Sequence, residues 1–125
     1  MVERKGMAKV QHVKSSGVRV LQPTIIGAVA VNAQVFTDQY GAYRLLRRHG
    51  YTHQTINHSI KRYVDGNTHT QNVENLWSNI KRGIYGVYRH VDPIYLQAYI
   101  NEYAFRYSHR SSDVQMFDLL LERVA

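Results

Sequence analysis

Cysteine is absent from the 125 residues, which removes disulfides, cysteine-based zinc sites and any thiol nucleophile, and fits a reducing compartment. Acidic side chains are scarce as well. Nine Asp and Glu stand against sixteen Lys and Arg, a formal charge of +7, and seven His can add to it as the pH falls below neutral. That balance favours a polyanionic partner. No apolar run approaches the roughly 20 residues that a membrane helix needs, and the charged start Glu3-Arg4-Lys5 is followed by no apolar leader core. Repeats and low-complexity tracts are missing too. With 44% hydrophobic residues, the chain reads as one globular domain over 1–125 that can bury a core.

Local patterning sets out the elements. Val10, Val13, Val18 and Val20 suggest extended chain near the N-terminus, with a hairpin around Gly6. Leu21 to Ala30 fits either a short helix with Pro23 in its first turn or a buried strand. Ala33 to Thr37 reads as a short buried strand ending at Asp38, Tyr40 to His49 as a basic helix stopped by Gly50, and Tyr51 to Ser59 as a strand. Lys61 to Thr68, with Asp65-Gly66-Asn67, is turn-rich. Thr70 can cap a helix running through Lys81, with Gly83 and Gly86 weakening its end. A helix starts at Pro93 and presents Leu96, Tyr99, Ile100, Tyr103 and Ala104 on one face, and Val114 to Val124 forms a last amphipathic helix. Strands first and helices after describe an α/β core with a helical C-terminal layer.

Three charged residues carry the chemistry. Thirty-five residues lie between Asp38 and Glu74, and Lys81 follows Glu74 by seven. Seven helical residues at about 100° each return to within roughly 20° of the same face, so Glu74 and Lys81 point the same way, with Ser78 near them. Carboxylate oxygens suit Mg²⁺ or Mn²⁺. Arg44, Arg47, Arg48 and His49 form one basic patch, and Lys61 with Arg62 a second; contacts of this kind bind phosphates without reading sequence. An alternative for the acids is that Asp38 caps the segment after it and Glu74 is a solvated first-turn acid. Trp77 reads as core rather than as a base-stacking platform. No histidine pair has zinc-helix spacing: His12, His49, His53, His90 and His109 read as surface residues. Tyr103 or Tyr107 beside Arg106, His109 and Arg110 could suggest a tyrosine nucleophile, although that grouping arises readily on an amphipathic helix.

The flanking text is more specific than the spacing. Thr37-Asp38-Gln39-Tyr40-Gly41-Ala42-Tyr43, Thr55-Ile56-Asn57-His58-Ser59 and His69-Thr70-Gln71-Asn72-Val73-Glu74-Asn75-Leu76-Trp77-Ser78-Asn79-Ile80-Lys81-Arg82-Gly83 occur in that order. Together with Val2-Glu3-Arg4-Lys5-Gly6 and the stretch Gln97 to Arg110, they resemble the catalytic domain of bacterial insertion-sequence transposases of the Asp-Asp-Glu type, in particular the ISXO-like group. The resemblance implies a ribonuclease-H-like mixed sheet flanked by helices, with Asp38 as the second metal-binding carboxylate and Glu74 as the third. Asn72 is a further candidate ligand and Lys81 a contact to transposon-end DNA. It implies a site for two divalent ions, Mg²⁺ or Mn²⁺, and double-stranded DNA as partner at transposon ends and target. Arg82, Arg44, Arg47, Arg48, Lys61, Arg62 and His69 would be further DNA contacts.

In the family the first catalytic Asp lies on a central strand just before the segment matching Val2 to Gly6, and here Met1 directly precedes Val2. The expectation is therefore an N-terminally truncated catalytic domain with impaired metal-dependent cleavage and strand transfer, and with unpaired sheet edges where the first strand would lie. The alternative is a non-catalytic remnant that binds DNA or a full-length transposase; a basic RNA-binding protein is a third reading. Expected surroundings are cytoplasmic, nucleoid-associated when DNA is bound, with no membrane and with possible homo-oligomers.

Overall fold

The computed structural model describes residues 1–56 and 71–124, and the side chains among them through Glu122. The readings made for Asn57 to Thr70, including the turn-rich loop and the Thr70 cap, lie outside the described residues. The fold is mixed α/β, with two strands and four α-helices described, and it divides into two compact units, Val13–Glu74 and Met1–His12 with Asn75–Ala125. No helix among the described residues is long and apolar enough to cross a membrane.

The Val13–Glu74 unit opens with helix α1, Val18–Ile26. The Gly17 carbonyl accepts the amides of Val20 and Leu21, each at 3.0 Å, which starts the helix three residues earlier than Leu21. Pro23 consequently sits in the helix interior, not in its first turn; it supplies no amide for the carbonyl four residues back. Its own carbonyl still receives the Gly27 amide at 2.9 Å. Ile25 and Gln22 face inward, and the Gln22 amide reaches the Ala42 carbonyl at 3.4 Å.

Strand β1, Gln34–Thr37, pairs in parallel with β2, Thr52–Thr55, in the register Gln34↔Thr52, Val35↔His53, Phe36↔Gln54 and Thr37↔Thr55. Parallel neighbours need a crossover of about a dozen residues or more, and residues 38–51 provide it. The crossover is two 3₁₀ turns, Gly41–Tyr43 and Leu46–His49, where the sequence predicts one basic helix. Gly50 ends the second turn at φ 84°, the left-handed region that a side chain would strain. Leu46 of the crossover is fully buried, and Ile25, Ala42, Tyr51 and Ile56 of the same unit are buried as well. The Tyr51 hydroxyl donates to the Val29 carbonyl at 2.9 Å. Helix α2, Gln71–Gly83, begins in this unit and continues into the other.

In the second unit the N-terminal residues fold back on themselves. Val2 and Ala8 form an antiparallel bridge, with Glu3 donating to Met7 and Lys9 to Met1, both at 2.9 Å, around Lys5 at φ 55°. The expected hairpin is thus a single bridge. Helix α3, Leu96–Ser108, anchors it through side chains. The Ala8 amide donates to Ser108 Oγ at 2.9 Å, the His12 amide to Gln97 Oε1 at 2.7 Å, and Gln97 Nε2 to the Val10 carbonyl at 3.3 Å. These bonds satisfy two amides and a carbonyl of the N-terminal segment.

Val10, Leu76, Ile80, Ile100, Ala104 and Tyr107 form the core, with Leu96 and Tyr103 packed on it. Of the face predicted for α3, Leu96, Ile100, Tyr103 and Ala104 meet this core, whereas Tyr99 packs edge to face on Tyr88 at 4.6 Å. The helix starts at Leu96 because Pro93 to Tyr95 form a turn, in which Asp92 Oδ1 accepts the Ile94 amide at 3.0 Å. Between α2 and α3 the chain widens into a π-helical turn, Ile84–Tyr88. The last helix, α4, covers Met116–Val124, and its Phe117, Leu120 and Leu121 are exposed.

Candidate functional site

Asp38 follows the last residue of β1, at the C-terminal end of a parallel strand, the edge where α/β sheets tend to place functional groups. It is exposed. Its Oδ1 accepts the Tyr40 amide at 3.1 Å, a local turn that fixes the carboxylate and leaves its other oxygen outside that bond. Tyr43 is half-buried nearby; burial first, then the Asp38 carboxylate and Tyr40, push its phenol above the ordinary tyrosine range. Tyr40 and Tyr43 meet edge to face at 5.9 Å, and the Tyr40 hydroxyl lies 3.2 Å from Ser16 Oγ.

Behind Asp38 lies a residue that sequence reasoning assigned to the surface. His53 is buried, at 6% exposure, on the inner face of β2. Its Nε2 is 2.8 Å from Thr37 Oγ1, and that hydroxyl donates to the Asp38 carbonyl at 2.8 Å. A hydroxyl has one proton to give, so Nε2 carries the hydrogen and donates to Thr37. Burial, and secondarily the Arg47 guanidinium, hold His53 below the usual histidine pKa, which favours the neutral ring. The signal was present in the sequence. Tyr51 and His53 are two residues apart on a strand and so share a face, and Tyr51 is apolar enough to mark that face as the inner one.

Arg47 directs both Nε and Nη2 at the His53 carbonyl, at 3.1 and 2.9 Å. Its fork therefore braces β2, whereas Arg44 and Arg48 sit exposed on the same crossover. Lys61, Arg62 and His69 lie outside the described residues.

Glu74 stands in the first turn of α2, where the helix dipole favours an acid. It and Lys81 are exposed, Asn72 is half-buried, and the opposite side of the helix buries Leu76, Ile80 and Gly83. Trp77 departs from expectation: it is 44% exposed instead of core. One position beyond Leu76 is a rotation of about 100°, enough to carry the indole off the buried stripe. Carboxylate and amide oxygens suit a hard divalent cation. Among the described residues, however, no group of three or more His, Cys, Asp or Glu is gathered to hold one.

Compared with known proteins, the chain matches the family described as ISXO2-like transposase domain over residues 1–108. No curated protein and no solved structure matches it.

Proposed function

Because the chain belongs to the ISXO2-like transposase domain family, we propose that it serves DNA transposition through metal-dependent cleavage and strand transfer of insertion-sequence DNA. The observation that carries this reading is the family match, which spans Asp38, Glu74 and Lys81 together. The parallel β1–β2 pair with an acid at its C-terminal end supports a ribonuclease-H-like arrangement, within a single catalytic domain.

Asp38 and Glu74, with the Asn72 amide oxygen, are the proposed ligands of Mg²⁺ or Mn²⁺. When bound, such ions activate the attacking oxygen and stabilise the leaving one. The protein's own part is positional. The Tyr40 amide orients the Asp38 carboxylate, the His53–Thr37 pair holds the Asp38 backbone, and α2 presents Glu74 and Lys81 outward on one rigid face. Lys81 would neutralise a phosphate of the transposon end, and Arg44 and Arg48 would add contacts to the duplex backbone that carry affinity without sequence information.

Calorimetric titration of the whole chain with Mn²⁺ and Mg²⁺ tests the reading, alongside Asp38→Asn and Glu74→Gln. Binding that either substitution abolishes supports a shared metal site. A folded chain indifferent to both ions, yet still binding duplex DNA, would instead be a non-catalytic partner of a complete transposase.

A further inference from the structure

The wall between α2 and α3 carries a second set of charges. Arg82, Arg106 and Arg110 line one open cavity of about 430 Å³, floored by Leu76, Tyr103 and Tyr107. Two of the three guanidinium groups are held by uncharged partners. Arg82 Nη2 donates to Asn79 Oδ1 at 2.6 Å. Arg110 Nη1 donates to the Tyr107 carbonyl at 2.6 Å, and its guanidinium lies 3.9 Å above the Tyr107 ring. Neutral holders fix the side chains without cancelling their charge, so the entropic cost of ordering an arginine around an anion is largely met beforehand. Among the described residues, only Arg106 of the three has an acidic partner, Glu102 at 2.6 Å, with both side chains well exposed. Three cations against one carboxylate leave the cavity positive.

We propose that this groove binds an unpaired nucleic-acid strand, with a phosphate on Arg82 and a base stacked on the outer plane of the Arg110–Tyr107 pair. The shape argues for a single strand over a duplex. A cavity of this size falls in the range of about 300–1,000 Å³ typical of small-ligand sites and admits one nucleotide-sized group onto an apolar floor. A duplex keeps its bases stacked inside and presents only convex phosphate ridges. A positive groove with a planar cation and aromatic rings is the combination that holds single strands irrespective of sequence. Glu102, paired with Arg106 of the groove, opposes the ligand, so its carboxylate limits affinity. The site owes nothing to Asp38 or Glu74 and stands apart from the metal-dependent reading.

The test is fluorescence anisotropy of a labelled twelve-residue oligothymidylate with the whole chain across a salt series, compared with the corresponding duplex. The single strand should bind more tightly than the duplex. Arg82→Gln and Arg110→Gln should each weaken it about tenfold, and Arg82→Gln should flatten the slope of log affinity against log salt by about 0.7. Arg110→Lys keeps the charge and loses the plane, so it should weaken binding while leaving the salt slope unchanged. Glu102→Gln should tighten binding, a gain that a merely structural role would not produce. Asp38→Asn and Glu74→Gln should leave single-strand binding unchanged, so failure of the metal reading is distinguishable from failure here. Preference for duplex, or single-strand affinity unmoved by Arg82→Gln and Arg110→Gln in variants with unaltered circular dichroism, overturns the proposal.

Discussion

Replacing Gly83 by alanine gives a test in which two principles oppose each other in sign. Gly83 is helical, with φ −66° and ψ −48°, and in an open helix alanine is favoured over glycine by about 1 kcal/mol. The neighbouring helix forbids that gain. A Cβ at position 83 would overlap the Tyr103 hydroxyl and Cζ and lie 3.0 Å from Cε1. The ring is rigid and Tyr103 packs on the core cluster, so relief requires moving the whole side chain. Overpacking of this kind costs about 1–3 kcal/mol, and the rigid obstacle places Gly83→Ala toward the upper end. Net of the helix gain, the expected loss is about 1–2 kcal/mol.

Urea unfolding followed by circular dichroism, on the four chains of a cycle with Tyr103→Ala, reads the effect directly. In the native background Gly83→Ala should destabilise; in the Tyr103→Ala background it should stabilise by about 1 kcal/mol, because only the propensity term remains. Equal effects in both backgrounds, or stabilisation in the native one, would refute the close α2–α3 contact on which the arginine groove also depends.

Other outcomes follow from single residues. With His53 held below its unfolded pKa of about 6.5, the unfolded chain binds more protons in the window between the two values. Stability should therefore fall as the pH drops from about 6.5 through the lower folded value, and His53→Gln should remove that dependence in a pH series of thermal melts. Trp77 is the only tryptophan and is 44% exposed; its emission should be readily quenched by acrylamide, and Trp77→Ala should cost less than the roughly 3–5 kcal/mol of a buried one. Leu76→Ala, at 2% exposure, should cost about 2–5 kcal/mol, and a loss under 1 would contradict the core assignment. Tyr51→Phe removes the bond to the Val29 carbonyl and should cost about 1 kcal/mol in urea unfolding.

The sequence by itself determined the local elements whose causes are local. Thr37 and Asp38 mark the end of a strand because the β-favouring residues Val35-Phe36-Thr37 stop there, Gly50 terminates the crossover because it tolerates a positive φ, and of the face spaced as Leu96, Tyr99, Ile100, Tyr103 and Ala104 on α3 all but Tyr99 meet the core. The motif text around Asp38 and Glu74 likewise sufficed to indicate the family. Tertiary structure decided the rest, since each remaining point depends on a partner distant in sequence. The crossover became two 3₁₀ turns as Leu46 was drawn fully into the core and Arg47 turned back to the His53 carbonyl. His53 went inside because the parallel register set it beside Val35, with Thr37 there to receive its proton. Trp77 stayed outside because the α2–α3 packing uses the stripe of Leu76, Ile80 and Gly83, which admits Tyr103 only where residue 83 has no side chain. The three arginines, spread over Arg82 to Arg110 in the sequence, became one groove only when α2 and α3 packed together, for a period of 3.6 residues tells which side chains share a helix face and not which face of another helix they will meet.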